Sequence, residues 1–183
     1  MMSKVRLKFH SVGEIVGSDG FSVVRLTDAD EVRAISVICD KLMTDQLTLR
    51  IHRQPGREQM LPEVLLRMLL ADNDINDFEM MVSDVCDGQY RVTLLNKRTL
   101  TMKLIRMSDA VLLSVISRIP LYIDATLMQR QSTPYNPDVR GISVPINTID
   151  LERLNQELDR AIEAEDYRLA SYLHEEILRR DKK

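Results

Sequence analysis

The amino-acid sequence predicts an α+β fold, a largely antiparallel or mixed sheet with packed helices, followed by a C-terminal antiparallel helical hairpin. Apolar and polar residues alternate in several segments of residues 1–128, as they do in strands that cover one face of a core. Short turns join these segments without repeating strand–helix units, which favours antiparallel pairing. We expect residues 1–128 to form this domain, residues 129–147 a linker that contains prolines, and residues 148–183 the hairpin.

Three strands are predicted in the first third of the domain. Val5–Phe9 and Phe21–Leu26 alternate apolar and polar side chains, and Arg33–Ile38 has the composition of a third strand. The segment Gly17–Gly20 between the first two strands is typical of a turn.

Two helices are predicted next. Leu42–Ile51 fits both the helical and the strand period, and we assign it as a helix. Pro62–Ala71 is a clearer helix, because proline is favoured in a first turn and the apolar residues of this segment fall on one face.

The second half of the domain begins with the strongest hairpin signal in the chain. Phe78–Cys86 and Gln89–Leu95 alternate, and the Asp87-Gly88 pair between them is a favoured two-residue turn. The remaining predicted elements are a strand at Thr99–Ile105, a helix from Ser108 to about Ser117, and a short strand at Pro120–Ile123.

The composition argues against several classes of function. The chain has 183 residues, a net charge of −3 and 44% apolar residues, which is ordinary for a globular protein. Residues 148–183 hold ten acidic and seven basic residues, which leaves 18 of each sign in the first 147. A neutral domain lacks the broad basic surface of strong nonspecific nucleic-acid binders, so we expect any such binding to be weak and local.

Signals for export or membrane insertion are missing from the sequence. No apolar run approaches the length of a membrane span, and the start of the chain alternates without the apolar block of a signal peptide. Cys39 and Cys86 form neither a metal-binding spacing nor a disulfide framework. We therefore expect a cytoplasmic protein that does not contact membranes.

Arg106, Ser108 and Asp109 form the first candidate catalytic group, at the start of a predicted helix. Helix starts favour phosphate, and this one places a carboxylate and a hydroxyl beside the Arg106 cation. A purely structural interpretation is also open, because serine is a favoured cap and aspartate in a first turn complements the helix dipole.

A second candidate is the segment 50–57, with Glu58 or Glu63 nearby as a catalytic base. Its potential nucleic-acid-binding side chains are Arg50, His52, Arg53 and Arg57. A solvated loop is the alternative interpretation of such a run. The three histidines of the chain are scattered without metal-ligand spacing, so no metal site is predicted. The cofactor stays open, with a divalent cation as one option for activating water.

The segment Leu151–Arg180 contains two apolar helical repeats, and Asp166 stands where a side-chain cap for the second helix is expected. With the pairs Asp166-Tyr167 and Leu169-Ala170, it resembles the UVR motif, the hairpin through which the UvrB and UvrC repair proteins contact each other. The resemblance implies contact with a protein partner or a second copy, and packing on the chain's own domain is the alternative. The implied interaction residues are Leu158, Ile162, Tyr167, Ala170, Leu173 and Ile177.

The stretch from Arg106 to Tyr122 carries a second resemblance. It begins with Arg106-Met107-Ser108-Asp109-Ala110, continues with an apolar helix and ends with Pro120-Leu121-Tyr122. This order is similar to the signature of the bifunctional nuclease family. The resemblance implies a nuclease of low sequence specificity that acts on DNA and RNA and forms homo-oligomers.

The chain differs from this family at several positions where the family has polar residues. These differences suggest an alternative function. Pro62-Glu63-Val64 stands where the family has Thr-His-Asp, and Leu104 and Ile116 occupy positions where it has an acidic residue and an arginine. If those side chains carry the chemistry, the protein is a catalytically weak or inactive adaptor that acts through its hairpin.

Overall fold

The computed structural model describes residues 3–14, 21–86, 88–135, 149 and 151–181. The strands are β1 (Lys4–Glu14), β2 (Phe21–Thr27), β3 (Arg33–Asp40), β4 (Phe78–Cys86), β5 (Gln89–Asn96), β6 (Thr101–Ile105), β7 (Leu121–Asp124) and β8 (Thr133–Pro134). The helices are α1 (Lys41–Ile51), α2 (Leu61–Ala71), α3 (Met107–Ser117), α4 (Ala125–Gln131), α5 (Leu151–Glu163) and α6 (Tyr167–Asp181).

All eight strands belong to one mixed sheet, in the order β6-β5-β4-β7-β1-β2-β3-β8. Neighbouring strands run antiparallel except β4 and β7, which are parallel. The parallel pair arises because the chain passes through β5, β6 and α3 before it returns beside β4. The predicted α+β class is confirmed.

The main core lies on one face of the sheet, under α1 and α3. Alternate strand residues point to this face, so Ile35, Val92 and Ile123 from three separate strands are almost fully buried together. Leu47 of α1 and Ala110 of α3 belong to the same cluster. Because α1 directly follows β3 and α3 follows β6 after one residue, the residues that begin the two helices lie close to the ends of these strands.

The predicted strands and helices of the domain are present, with differences at the edges. β6 starts at Thr101 rather than Thr99, because residues 97–100 form the turn before it. α4 and β8 were not predicted, and the first residues assigned to the linker, 129–131, belong to α4. The linker residues 136–147, the turn Gly17–Gly20 and Asp87 lie outside the described residues. The division at residues 128 and 147 stays a prediction.

α2 is present where proline predicted its start, and Leu70 packs against the core, but most of the predicted apolar face is exposed. Leu61, Leu65, Met68 and Leu69 are all exposed. The helical period identifies which residues share a face, whereas it does not say what that face contacts. Among the helices of the described residues, none combines the length and apolar character needed to cross a bilayer.

α5 and α6 pack against each other as the predicted antiparallel hairpin. Their shared core contains Leu154, Ala161 and Leu173 and is separate from the core of the sheet. The Asp166 carboxylate accepts the N–H of Leu169 at 3.1 Å, so the predicted cap of the second helix is confirmed.

Candidate functional site

Arg106 is the single residue between β6 and α3, and it occupies the N-cap position of the helix. Its backbone is extended (φ −69°, ψ 150°), and its side chain makes no capping hydrogen bond. The N–H groups of the first helical turn have no intrahelical partners and carry the positive end of the helix dipole. A guanidinium and the start of an 11-residue helix therefore coincide at one place.

Asp109 holds the Arg106 guanidinium in a bidentate ion pair. Arg106 Nε donates to Oδ2 at 2.7 Å and Nη2 donates to Oδ1 at 3.1 Å. The hydrogen bond and the negative charge of Asp109 raise the pKa of Arg106, so the guanidinium stays charged. The side chains are 72% and 41% exposed, which places the pair at the surface rather than inside the fold.

A groove of about 250 Å³ lies directly beside this pair, and we call it the Arg106 groove. Residues from β2, β3, β5 and the start of α3 line it, among them Phe21, Asp40, Tyr90, Arg106 and Ser108. Asp109 is absent from the lining residues that the structure describes, so it acts on the groove through Arg106.

A second depression adjoins the Arg106 groove on the side of β6. It is lined by Arg91, Leu104 and Ile105 and shares Tyr90 and Arg106 with the first depression. Arg106 therefore lines both depressions.

Tyr90 is the most unusual polar group of the groove. The residue is only 8% exposed, and its hydroxyl has no hydrogen-bond partner among the described residues. Burial raises the pKa of Tyr90 well above its ordinary value, so the phenol stays neutral and can donate a hydrogen bond. A buried polar group without a partner is rare in a stable fold, and a bound ligand would satisfy it.

Cys39 lies in the wall of the groove but does not have the properties of a nucleophile. Burial, followed by the charges of Asp40 and Asp109, raises the pKa of Cys39 to about 12. The thiolate is the reactive form of cysteine, and at neutral pH this side chain stays protonated. Its role is to pack in the core, of which it is a member.

Asp40, Tyr90 and Phe21 line the groove and were missed in the sequence. Asp40 ends β3 and caps α1, where its carboxylate accepts the N–H of Met43 at 2.7 Å. It occupies a strand-to-helix junction, as Arg106 does, and that shared position is a sequence signal by which Asp40 could have been found. Tyr90 and Phe21 carry no comparable signal, because only the register of the sheet brings them here.

Arg50 is a predicted nucleic-acid-binding residue and Glu63 a predicted catalytic residue. The structure pairs these two side chains with each other, and neither of them lines the Arg106 groove. Arg50 Nε and Nη2 donate to the two Glu63 oxygens at 2.7 and 2.9 Å. The Arg50 side chain is only 3% exposed and also bonds to Gln46. This buried pair joins α1 to α2, and in this conformation it does not present either charge to a ligand.

The other basic residues of segment 50–57 lie around the end of α1. His52 is the exposed C-cap of that helix, and Arg53 is exposed with a positive φ of 50°. Arg57 is partly buried, and its Nε lies 3.3 Å from the Glu58 carboxylate. None of these side chains is among the described residues that line the Arg106 groove, so the structure does not join the two candidate sites.

The described residues do not assemble a recognisable metal site. No group of three or more histidine, cysteine, aspartate or glutamate side chains is placed to hold a metal ion among them. The structure thus brings Arg106 and Ser108 together with Asp40 and Tyr90, and leaves Glu63 in its pair with Arg50.

The six predicted interaction residues of the hairpin divide into two sets. Leu158, Ala170, Leu173 and Ile177 belong to the contact between α5 and α6, whereas Ile162 and Tyr167 are exposed. The exposed apolar residues of the hairpin that were not predicted are Leu151, Leu169, Tyr172 and Leu178.

The hairpin also contacts the domain at the rim of the groove. The Arg153 guanidinium of α5 lies 4.3 Å from the centre of the Phe21 ring, in a cation–π contact. The buried face of the hairpin thus holds its two helices together, and Arg153 of α5 reaches the wall of the candidate site.

Comparison with known proteins does not assign the chain to a family. No family model matches it, and no curated protein is similar to it at a significant level.

Proposed function

We propose that the protein is a nuclease of low sequence specificity that hydrolyses DNA or RNA phosphodiester bonds in the Arg106 groove. One observation carries the proposal: a surface guanidinium, the start of a helix, the Ser108 hydroxyl and the unpartnered Tyr90 hydroxyl converge on one concavity. These are all hydrogen-bond donors, which is the set that a phosphodiester anion requires.

Phosphate binding would replace part of the Arg106–Asp109 pair. The Arg106 side chain is largely exposed and lines the groove, and Asp109 in the first turn of α3 holds its guanidinium in the ion pair. A phosphoryl group at the start of α3 would accept hydrogen bonds from Arg106, from Ser108 and from free backbone N–H groups. The Tyr90 hydroxyl would donate a hydrogen bond to a phosphoryl oxygen deeper in the Arg106 groove. It would thereby gain the partner that it lacks among the described residues.

In the hydrolytic step, water forms a bond to phosphorus while the bond from phosphorus to the leaving oxygen breaks, and the proton that the water loses ends on the leaving oxygen. Asp40 is the carboxylate that lines the groove, so we assign it the role of accepting a proton from the attacking water. Asp109 acts as a positioning residue for Arg106, which stabilises the negative charge that develops on the phosphoryl oxygens. The two carboxylates of Asp40 and Asp109 outweigh the single positive charge of Arg106, in accordance with weak binding of nucleic acid.

The direct test compares the wild-type protein with Arg106→Gln and with Arg118→Gln, a control at the opposite end of α3. Both arginines are exposed, so neither change disturbs the core. We expect Arg106→Gln to lower the hydrolysis rate of single- and double-stranded substrates by about 100-fold or more, while Arg118→Gln keeps wild-type activity. Equal activity of all three proteins would reject the proposal, since it would indicate another site or a contaminating nuclease.

The hydrolysis assay also addresses the cofactor when it is run with and without a chelator. Activity that persists in chelator assigns water activation to protein side chains, whereas its loss assigns that step to a divalent cation. In either case, Asp40→Asn tests the proposed role of the Asp40 carboxylate in hydrolysis. Asparagine keeps the helix cap of α1 while it removes the carboxylate charge.

The exposed side of the hairpin favours a second candidate function, a noncatalytic adaptor. Ile162, Tyr167 and Tyr172 are exposed, and aromatic residues of this kind are enriched in protein interfaces. This function predicts that the wild-type protein hydrolyses nothing under any metal condition. It also predicts a partner whose binding is lost in the Tyr167→Ala, Tyr172→Ala double variant and retained in Leu61→Ala, which changes an exposed residue of the domain.

A further inference from the structure

Phe21 is an exposed aromatic residue in the lining of the Arg106 groove. It begins β2, and the register of the sheet pairs it with Asp40 at the end of β3. The residue is 41% exposed, and neither apolar cluster of the described residues includes it. The other two phenylalanines of the chain, Phe9 and Phe78, pack in the main core. The fold therefore does not use the Phe21 ring to fill its core.

Arg153 of α5 covers one face of the Phe21 ring. Its guanidinium carbon lies over the ring, 4.3 Å from the ring centre, and the residue is only 8% exposed. A cation in this position is attracted by the π electrons of the ring, so the contact holds the plane of the ring. The surface that remains for a ligand is the opposite face and the edge of the ring. Phe21 thus presents a flat apolar surface in a fixed orientation.

The lining of the groove combines hydrogen-bond donors with this aromatic ring. Arg106 and Ser108 supply the donors at the start of α3, whereas Phe21 supplies the ring from β2. A nucleotide has the same division, with an anionic phosphate at one end and a flat base at the other. Phosphate suits a guanidinium at a helix start, and a base stacks on aromatic side chains. The groove therefore matches both parts of one nucleotide.

The size of the groove favours an unpaired nucleotide over a duplex. Its volume of about 250 Å³ lies below the roughly 300–1,000 Å³ of pockets that enclose drug-sized ligands. In a duplex each base is covered by its neighbours on both faces, so it reaches an aromatic ring only after it leaves the stack. Leaving the stack costs free energy, and this cost is smallest for a nucleotide that is already single-stranded.

We propose that the Arg106 groove binds an unpaired nucleotide of single-stranded nucleic acid, with its base stacked on Phe21 and its phosphate at Arg106 and Ser108. This inference rests on the proposed nuclease function and names the substrate class of the same site. Every base has a π face, so stacking agrees with low sequence specificity. The inference also gives the hairpin a part in substrate binding, because Arg153 holds the ring.

The test compares two probes of equal charge. One is an oligothymidylate of about four nucleotides, and the other is a chain of the same length whose sugars carry no bases. Amide chemical shifts of the full-length protein in chelator measure the affinity for each probe. We expect the wild-type protein to bind the oligothymidylate at least about fivefold more tightly than the abasic chain. Phe21→Leu keeps an apolar side chain but removes the ring, so it should bind both probes equally, whereas Phe21→Tyr should keep the wild-type ratio.

Tyr122→Leu is the matched control. The Lys4 nitrogen lies 4.1 Å from the centre of the Tyr122 ring, so this ring also carries a cation. Tyr122 is absent from the described residues that line the Arg106 groove, and we expect its replacement to keep the wild-type ratio of affinities.

Arg106→Gln separates this inference from the proposed function. We expect it to weaken the binding of both probes, because both carry phosphates. An abasic chain that binds equally to wild-type and Arg106→Gln protein would reject the phosphate site, and the inference with it. Equal affinities of the wild-type protein for the two probes, or a ratio that Phe21→Leu leaves unchanged, would overturn the stacking and leave the phosphate site in place. Circular dichroism shows that each variant is folded, and Phe21→Met replaces Phe21→Leu if the latter is not.

Discussion

Replacing Glu63 with alanine tests whether the pair of Arg50 and Glu63 is structural. Both oxygens of Glu63 accept hydrogen bonds from a guanidinium that is almost fully buried. Without Glu63, Arg50 keeps only its bonds to Gln46 and carries a buried charge without a counterion. Removing one partner of a buried ion pair costs about 3–5 kcal/mol.

We expect Glu63→Ala to lie near the lower end of that range, at about 3 kcal/mol, because Glu63 retains 13% exposure and water can approach the cavity. For a chain of this size, 1 kcal/mol corresponds to roughly 2–4 °C in the midpoint of thermal unfolding. The variant should therefore unfold about 6–12 °C below the wild-type protein. Thermal unfolding followed by circular dichroism measures this shift.

Glu58→Ala is the matched control, since Glu58 is exposed and its ion pair with Arg57 is worth at most about 1 kcal/mol. A further variant, Arg50→Met with Glu63→Leu, removes both charges and should recover much of the lost stability. Glu63→Ala and Glu58→Ala with equal midpoints would refute a structural role for the pair. Arg50 would then return as a candidate for phosphate contact.

Three further changes test individual groups. Iodoacetamide at pH 8 should leave Cys39 unmodified in the folded protein and label it after unfolding, because its pKa is raised to about 12; labelling of Cys39, as distinct from the partly exposed Cys86, in the folded protein would contradict this. Asp166→Ala should destabilise the start of α6 by about 1 kcal/mol, seen as faster amide exchange at Leu169. Burial alone would raise the pKa of Glu176, but hydrogen bonds from two arginines lower it below the ordinary value of 4.5. Its contribution to the hairpin is present above that value and is lost as pH falls through the lowered pKa, so Glu176→Gln should weaken α6 at pH 7 and lose its effect in acid.

Local patterns predicted the elements of the domain because each depends on a few neighbouring residues. The turn at Gly88 has the positive φ, 78°, that its residue type indicates, and proline marked the start of α2. α4 was missed, since Ala125–Gln131 is only seven residues long and has a mixed composition without a clear apolar period.

The candidate site depended on contacts that a local pattern does not contain. Arg106 and Asp109 were predicted together because they are three residues apart at a helix start. Tyr90 reaches the same groove from β5, more than a dozen residues earlier in the chain, and Asp40 from β3. The partner of Arg50 lies 13 residues away on another helix, so an apparent basic segment contained a buried structural arginine.

The central claim is that phosphate binds at the start of α3. The most direct test is a titration with a short single-stranded oligonucleotide, in the presence of a chelator, that measures backbone amide chemical shifts. The claim predicts that the largest shifts fall on Ser108, Asp109 and Tyr90, and that Arg106→Gln abolishes them. Shifts confined to the loop around Arg53 and Arg57, or no shifts at oligonucleotide concentrations of about 1 mM, above typical nonspecific dissociation constants, would contradict it.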